Sequence, residues 1–409
     1  MNPALATSVS RHALGWLVAA NVVGVWLAAL LVWPELNGLT GALSYGRWMP
    51  LHLDWQLYGW CTLPLLGALA VWMIPADDLA GVRQARWALA AWSLALALGG
   101  VSWLAGNVSG KLFLDWSGWA RPLLPLAMLL WWSALGAAVW ARRGTLTRSE
   151  LAVRAIVLAL LVSVPPLLYW SEGREVYPSV NPDSGGATGA SLLGSTLLLV
   201  LLIGWIPRAL GLARKERGTR PARFWSALAV SAVIFVAIDR GNASHHAWAQ
   251  IAALGTLLAW APLTWGYLRG FVWPAAAGRW LGAAFAWWTL LLASGWLTFW
   301  PGLSERFKFS NVLVAHAHLA MAGAVTSFGV ALLAALGRAP GGGGVAFWGW
   351  QLATLAHVAV LVCLGIVETA RAGEFFVGAP WVTGLLVARL MAGSAMLAAS
   401  AAWCREAKA

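Results

Sequence analysis

The side chains best suited to chemistry in this chain are its seven histidines, five of which fall into three groups. His52 stands alone in "PLHLDWQLYGW", His245 and His246 are adjacent in "DRGNASHHAWAQ", and His316 and His318 flank one residue in "NVLVAHAHLAMAGAV". Neutral imidazole is a leading ligand for haem iron, copper and non-haem iron. Because an ionisable ring is costly inside an apolar segment, these histidines indicate metal or cofactor binding.

The spacing of the histidines predicts which of them share a partner. Each residue of an α-helix turns about 100°, so His316 and His318 point about 200° apart and predict two separate haems. A haem with two histidine ligands needs one from another helix, and His52 at matching depth is the candidate. His245 and His246 diverge by about 100° on a regular helix, but at a helix entrance both could reach one copper or non-haem iron.

Composition places the chain in a membrane. Of 409 residues, 60% are hydrophobic and only 10% are charged, against about 25% charged in a soluble domain. The net charge of +12 does not indicate nucleic-acid binding, because the basic residues fall in short loops between apolar segments. Many of the 31 tryptophans lie near the ends of these segments, as at a membrane interface, and the internal ones are predicted to wall a buried cofactor.

Apolar runs of about 20 residues recur along the whole length, each long enough to cross a bilayer. We predict an all-α polytopic membrane protein with about twelve transmembrane helices in one bundle, residues 1–409 forming a single transmembrane domain. The predicted helices are 13–33, 50–75, 86–106, 120–142, 151–170, 190–212, 223–239, 246–268, 278–300, 312–337, 346–368 and 378–403.

Basic residues predict the orientation in the membrane. If the N-terminus is cytoplasmic, two inside loops are strongly basic, one with Arg142, Arg143 and Arg148, the other with Arg214, Lys215, Arg217 and Arg220, and the C-terminal Lys408 is also inside. The positive-inside rule therefore predicts a multi-pass protein of a bacterial-type inner membrane with both termini in the cytoplasm. The three histidine groups then begin their helices from the periplasmic side.

The order of the histidines resembles the catalytic subunit of haem-copper oxidases and nitric oxide reductases. One histidine in helix two, a His-His pair between helices seven and eight, and His-x-His in helix ten carry the resemblance over nearly the whole chain. The resemblance implies that His52 and His318 hold a low-spin, b-type haem and that His316 holds a high-spin haem. It also implies that His245 and His246 bind copper or non-haem iron facing that haem, and that Arg371 contacts haem propionates.

The chain departs from the family at two places. Helix six, "GGATGASLLGSTLLLVL", has no histidine for the distal metal, and Ser195 lies near the expected position. The active-site tyrosine of oxygen-reducing members has no match in helix seven, "FWSALAVSAVIFVAI". His357 is interpreted as a structural histidine. The outer loop "PSVNPDSGGATG" is interpreted as a plain connector, with a lid over the distal pocket as the alternative.

The sequence favours a haem-dependent oxidoreductase that passes electrons from a low-spin to a high-spin haem and reduces dioxygen or nitric oxide. The chain has no cytochrome c domain, so the expected electron donor is another subunit, a soluble cytochrome or a quinol. Two alternatives remain open. One is an electron-transfer or gas-binding cytochrome without a complete copper site, and the other is a transporter without a cofactor.

Overall fold

The structure is a computed structural model that describes residues 2–183, 185–215, 220–338 and 344–406. It is all-α and 77% helical. Within the described residues the only β-type pairings are two isolated bridges, Val180 with Ala187 and Arg214 with Phe271. Two basic residues of the orientation argument, Arg217 and Lys408, lie outside the described residues.

Contacts between Cα atoms divide the chain into two compact units. The first unit comprises Met1–Tyr177, Leu332–Trp350 and Gly393–Ala409, and the second comprises Pro178–Ala331 and Gln351–Ala392. Each unit is therefore assembled from segments that are far apart in sequence.

The early helices belong to the first unit. They are α1 (Pro3–Val32), α2 (Leu36–Thr40), α3 (Tyr45–Asp54), α4 (Thr62–Met73), α5 (Leu79–Leu104), α6 (Leu123–Ala141) and α7 (Arg148–Ser171). A π-helical segment, Trp55–Cys61, joins α3 to α4, and a 3₁₀ turn, Gly118–Ala120, precedes α6. Large indole rings fill this unit, and Trp60, Trp92, Trp103, Trp116 and Trp131 are all fully buried.

The next helices belong to the second unit. They are α8 (Gly189–Ala209), α9 (Pro221–Ala237), α10 (Trp248–Gly255), α11 (Trp260–Leu268), α12 (Ala275–Leu297), α13 (Ser304–Phe307) and α14 (Asn311–His318). A 3₁₀ turn, Thr256–Ala259, links α10 to α11, and a second π-helical segment, Leu319–Val325, follows α14. The remaining helices are α15 (Thr326–Ala335), α16 (Gly344–Ala370), α17 (Ala372–Phe376) and α18 (Pro380–Glu406). Of these, α15, α16 and α18 have residues in both units.

Local capping signals explain where several helices begin. Asn2 accepts a hydrogen bond from the amide of Ala4, and Pro3 occupies the first helical position, so α1 begins ten residues before its predicted start. Thr147 and Glu150 form a reciprocal capping box at the start of α7. Thr188 caps α8 by accepting a hydrogen bond from the amide of Ser191, without a reciprocal side-chain bond.

Among the described residues, ten helical segments are long and apolar enough to cross a membrane. The other two predicted spans are also helical but are not among these ten. The predicted helix 223–239 is α9, which has 17 residues and is shorter than a span. The predicted helix 50–75 consists of the end of α3, the π-helical segment Trp55–Cys61 and α4. The length and apolar composition of these ten helices indicate a multi-pass membrane protein.

The two π-helical segments share one construction. Each has seven residues, and each directly precedes a threonine, Thr62 or Thr326, whose hydroxyl donates to the carbonyl five residues earlier at 2.8 Å. The first begins three residues after His52, and the second begins directly after His318. Such segments are rare and are often found at functional sites.

A glycine at the fifth position lets each π-helical segment approach a tryptophan. A Cβ added to Gly59 would lie 2.6 Å from Cβ of Trp16, and one added to Gly323 would lie 2.7 Å from Cδ2 of Trp287. Trp287 is itself fixed, because its indole donates to Gln351 at 2.6 Å. Only glycine fits at these two positions without displacing the indole.

We expect Gly323→Ala to destabilise the protein by about 1–3 kcal/mol, because the new methyl group would overpack against the Trp287 ring. The matched control is Gly282→Ala, in α12, where no atom lies within 4 Å of an added Cβ. That control should be neutral or stabilising by up to about 1 kcal/mol, because alanine favours the helix. Thermal unfolding midpoints in detergent would measure both, and equal midpoints for the two variants would contradict this account of the packing.

Candidate functional site

His52 lies in α3 of the first unit, against α1. Its Nδ1 lies 2.9 Å from the carbonyl oxygen of Ala20, which can only accept, so Nδ1 carries the proton. A Cβ at Gly24 would lie 2.7 Å from Cε1 of His52, so the glycine is what allows the ring to sit directly on α1. The lone pair of the neutral ring is therefore on Nε2.

His316 and His318 contact different helices of the second unit, as their angular separation predicts. Nδ1 of His316 lies 2.9 Å from Oγ of Ser294, on α12. The same hydroxyl lies 3.2 Å from the carbonyl of Leu291, so Ser294 ties the His316 ring to the backbone of α12. The ring of His318 packs instead against His357 of α16, with centroids 4.6 Å apart.

His318 has the same tautomer as His52. Nδ1 of His318 donates to the carbonyl oxygen of Val314, one turn earlier in α14, at 2.8 Å. Thus His52, His316 and His318 all have a hydrogen bond at Nδ1, which in His52 and His318 places the ring proton on that nitrogen. Metal-binding histidines in proteins usually have this arrangement, in which a hydrogen bond at one nitrogen fixes the tautomer and orients the other toward the metal.

The N-terminus of α14 is fixed by a carboxylate on the opposite helix. Glu368 of α16 accepts from the backbone amide of Asn311 at 2.8 Å and from its side-chain amide at 3.0 Å. Ser310 accepts from the amide of Val312 and completes the cap. A negative charge at this end is favourable because the helix dipole is positive there. These contacts set the register of the helix that carries His316 and His318.

His245 and His246 lie in the loop before α10, together with two carboxylates. Their ring centroids are 4.1 Å apart, and the ligand atoms of Asp183, His245 and His246 all lie within 4.8 Å of one another. Glu305, in α13, contacts both rings, with Oε1 2.8 Å from Nε2 of His245 and 3.7 Å from Nε2 of His246. Within the described part of the chain, this is the one such group of three or more His, Cys, Asp or Glu side chains.

The loop 178–188, interpreted from sequence as a connector, supplies part of this group. It folds back on itself, with the amide of Asn181 donating to the carbonyl of Gly186 at 2.8 Å. Oδ1 of Asn181 lies 3.4 Å from Nδ1 of His245, and the hydroxyl of Ser244 donates to Asp183. Gln250 holds the other side of the loop. Its side-chain oxygen accepts from the amide of Ala190, and its side-chain nitrogen donates to the carbonyl oxygen of Asp239.

The electrostatics of this group suit a cation. The hydrogen bond from His245 lowers the pKa of Glu305 to about 2, so this carboxylate is ionised at neutral pH. Ligand atoms about 2.0–2.2 Å from one ion lie within about 4.4 Å of each other. The ligand atoms of Asp183, His245 and His246 lie within 4.8 Å of one another, so a small movement toward each other would let all three bind one ion. Two imidazoles with a carboxylate are a ligand set typical of non-haem iron. Ser195 is exposed on α8 and donates to Leu192 within its own helix.

Arg371 lies at the start of α17, on an exposed turn. Its guanidinium is 3.7 Å from the carboxylate of Glu374, and both side chains are about half exposed or more. An exposed pair of this kind contributes only about 0–1 kcal/mol, so the guanidinium is available to another carboxylate at low cost.

A second polar group, in the first unit, was not identified from the sequence. Asp54 and Glu172 are buried, and neither carboxylate has a hydrogen-bond partner within the described residues. Asp115, also buried, and Glu172 both lie near enough to act electrostatically on Asp54. The group is assembled from α3, the loop after α5 and the end of α7, so its members are too far apart in sequence to form a motif.

Removing one carboxylate from the His245–His246 group should weaken binding of Fe(II) by at least about tenfold, since even indirect partners of a metal ligand contribute that much. The variant is Asp183→Asn, and the matched control is Asp239→Asn, six residues before His245, whose carboxylate accepts from the amide of Gly241 and is outside the metal-binding group. Titration of the purified protein with Fe(II) and measurement of bound iron would compare them. Equal affinities for the two variants would rule out Asp183 as a ligand.

The Glu172 carboxyl should make stability depend on pH. Burial raises its pKa to about 8, although Arg121 and Lys111 oppose the shift. The unfolded value is about 4.3, so the folded state binds the proton more tightly, and stability falls as pH rises from about 4.3 to about 8.

Glu172→Gln should therefore reduce the pH dependence of the unfolding free energy across this window by the effect of about one bound proton. It should raise the unfolding midpoint most above pH 8, where the buried carboxylate is ionised. Glu175→Gln, which alters a nearby exposed carboxylate, is the control and should leave the profile unchanged. Thermal midpoints in detergent between pH 5 and 9 would measure the effect. If the Glu172→Gln profile were as steep as that of the unaltered protein, the assignment would be wrong.

No protein-family model matches this chain, and no curated protein matches it in sequence. The resemblance to haem-copper oxidases and nitric oxide reductases therefore depends on the order and spacing of five histidines. The structure adds the hydrogen bonds that hold His52, His316 and His318.

Proposed function

We propose that this chain is a haem-binding membrane redox protein, similar to the catalytic subunit of haem-copper oxidases and nitric oxide reductases. The observation that carries the proposal is the hydrogen bond at Nδ1 of His52, His316 and His318, which in His52 and His318 places the proton on Nδ1. In this proposal His52 and His318 hold a low-spin b-type haem, and His316 holds a high-spin haem. Bound haem would supply the iron that carries electrons and binds a small gas molecule.

The residues themselves orient the cofactors and exclude water. Hydrogen bonds from Nδ1 raise the basicity of the imidazole and hold its plane. The π-helical segments after His52 and His318 widen the helix beside each ring, while Gly24 and Gly295 leave room for the imidazoles next to neighbouring helices. Buried tryptophans around these helices keep the surroundings dry.

His245 and His246 form the distal metal site in this proposal, with Asp183 and Glu305 in place of the family's third histidine. Carboxylate ligands favour non-haem iron over copper. Together with the lack of a tyrosine in helix seven, this favours nitric oxide over dioxygen as the substrate. The protein would then be an oxidoreductase of the nitric oxide reductase type.

The proposed protein crosses a bacterial-type inner membrane twelve times, with both termini in the cytoplasm and the haems toward the periplasm. The ten apolar spans and the basic loops Arg142–Arg148 and 213–220 support this topology. Arg371 would bind a haem propionate, because its contact with Glu374 is weak and exposed. Electrons would come from a partner subunit, a soluble cytochrome or a quinol.

A second candidate is an electron-transfer or gas-binding cytochrome that keeps the haems but lacks the distal metal. The exposure of the distal group favours it, since the side chains of Asp183, His246 and Glu305 are between 41% and 57% exposed. Water at such a site would compete with a substrate for the metal. Stoichiometric non-haem iron supports the first candidate, and haem alone supports the second.

Replacing individual histidines should remove individual haem signals. His52→Ala and His318→Ala should each abolish the low-spin signal in a reduced-minus-oxidised spectrum, and His316→Ala should abolish only the response to carbon monoxide. His12→Ala is the control, since His12 bonds Ser93 and is assigned no haem. Spectra that are unaffected by all of the first three changes would refute the ligand assignment.

A further inference from the structure

A mainly apolar cavity with an arginine in its wall lies in the first unit, apart from the histidines and the buried carboxylates. It measures about 250 Å³ and is lined by Trp72, Ser149, Glu150, Val153 and Arg154. Pockets for drug-sized ligands occupy roughly 300–1,000 Å³, so this cavity suits a smaller chemical group. It lies where the end of α4 meets the first turns of α7.

Arg154 in this cavity has unmet hydrogen-bonding capacity. The residue is 8% exposed, and its Nε and Nη1 have no hydrogen-bond partner among the described residues. Its Nη2 donates to the carbonyl of Trp72 at 3.3 Å, and the guanidinium lies 5.3 Å from the centre of the Trp72 ring. A buried guanidinium with two free donors is costly unless an anion pairs with it, and its planar fork suits a phosphate.

The start of α7 adds to the attraction for an anion. Ser149 belongs to the first turn of a 24-residue helix, where backbone amides lack partners within the helix and the dipole is positive. Glu150 opposes this charge, but its Oε2 is held by the amide and hydroxyl of Thr147 at 3.0 and 2.9 Å. Arg142 and Glu150 both act electrostatically on Arg154, so the three side chains together carry one net positive charge.

The surface next to the cavity is apolar. Val153, Ile156 and Leu160 follow one another at helical spacing along α7 and are 48%, 60% and 64% exposed. Only 17% of the most apolar 18-residue stretch of α7 is buried, so most side chains of this helix are exposed on the surface of the protein. A ligand with its anionic end at Arg154 would have room for acyl chains along this row.

We propose that this cavity binds the phosphate head group of an anionic phospholipid, with Arg154 as the principal contact and the Val153–Ile156–Leu160 row against the acyl chains. Basic pockets at membrane-spanning helices commonly bind such head groups. A free phosphate offers the same charge, but only a lipid can also place acyl chains on the apolar row next to Arg154, which favours the lipid.

Binding can be measured by native mass spectrometry of the full-length protein in detergent. The probes are dioleoylphosphatidylglycerol, dioleoylphosphatidylcholine and inorganic phosphate. The unaltered protein should retain phosphatidylglycerol in preference to phosphatidylcholine, and equimolar inorganic phosphate should not displace it. Equal retention of the two lipids, or displacement by phosphate, would overturn the assignment to an anionic lipid.

Arg154→Gln should weaken retention of phosphatidylglycerol by at least about tenfold, because it removes a charge-assisted hydrogen bond. Arg83→Gln is the matched control, since Arg83 is an exposed arginine of α5 outside the cavity, and it should bind as the unaltered protein does. Retention by Arg154→Gln equal to that by the control would overturn the proposal.

Glu150→Gln tests the site should Arg154→Gln fail to fold. Glutamine can keep the capping box with Thr147 while removing the opposing negative charge. This variant should retain more phosphatidylglycerol than the unaltered protein. If it retains no more, the proposal fails.

Discussion

A hydrogen bond at Nδ1 determines how each helix-borne imidazole can act. An unbonded ring would be free to rotate, and either nitrogen could carry the proton. In His52 and His318 the acceptor is a backbone carbonyl, which places the proton on Nδ1, and in His316 the partner is the hydroxyl of Ser294. Each of the three rings is thus held by a hydrogen bond before any ligand binds, so a metal or haem would meet an ordered nitrogen.

The helices are shaped around these rings. His52 can donate to α1 because Gly24 has no side chain at the point of contact, and His316 lies beside Gly295 on α12. The two π-helical segments interrupt regular hydrogen bonding close to His52 and His318, and glycines at equivalent positions pack them on Trp16 and Trp287. Local irregularity of this kind is costly, and it occurs beside the candidate ligands.

The sequence predicted the membrane-spanning helices well because apolar length is a strong signal. It also predicted that His316 and His318 contact different partners, because that depends only on helix geometry. It missed Asp183 and Glu305 beside the His-His pair, and the grouping of Asp54 with other carboxylates, since these neighbours come from distant segments and neither spacing nor hydropathy encodes such contacts. The early start of α1 was missed although its signals, Asn2 and Pro3, are local. Apolar periodicity gave no signal for the π-helical segment Trp55–Cys61 inside the predicted helix 50–75.

The most direct test of this account is the haem content of the purified protein. A pyridine haemochrome assay, combined with total iron, counts haem and non-haem iron per chain. The account predicts two haems, the low-spin one of b-type, and one further iron atom. A protein that is colourless after expression in haem-sufficient cells would contradict it, because three imidazoles held by hydrogen bonds at Nδ1 would then serve no cofactor.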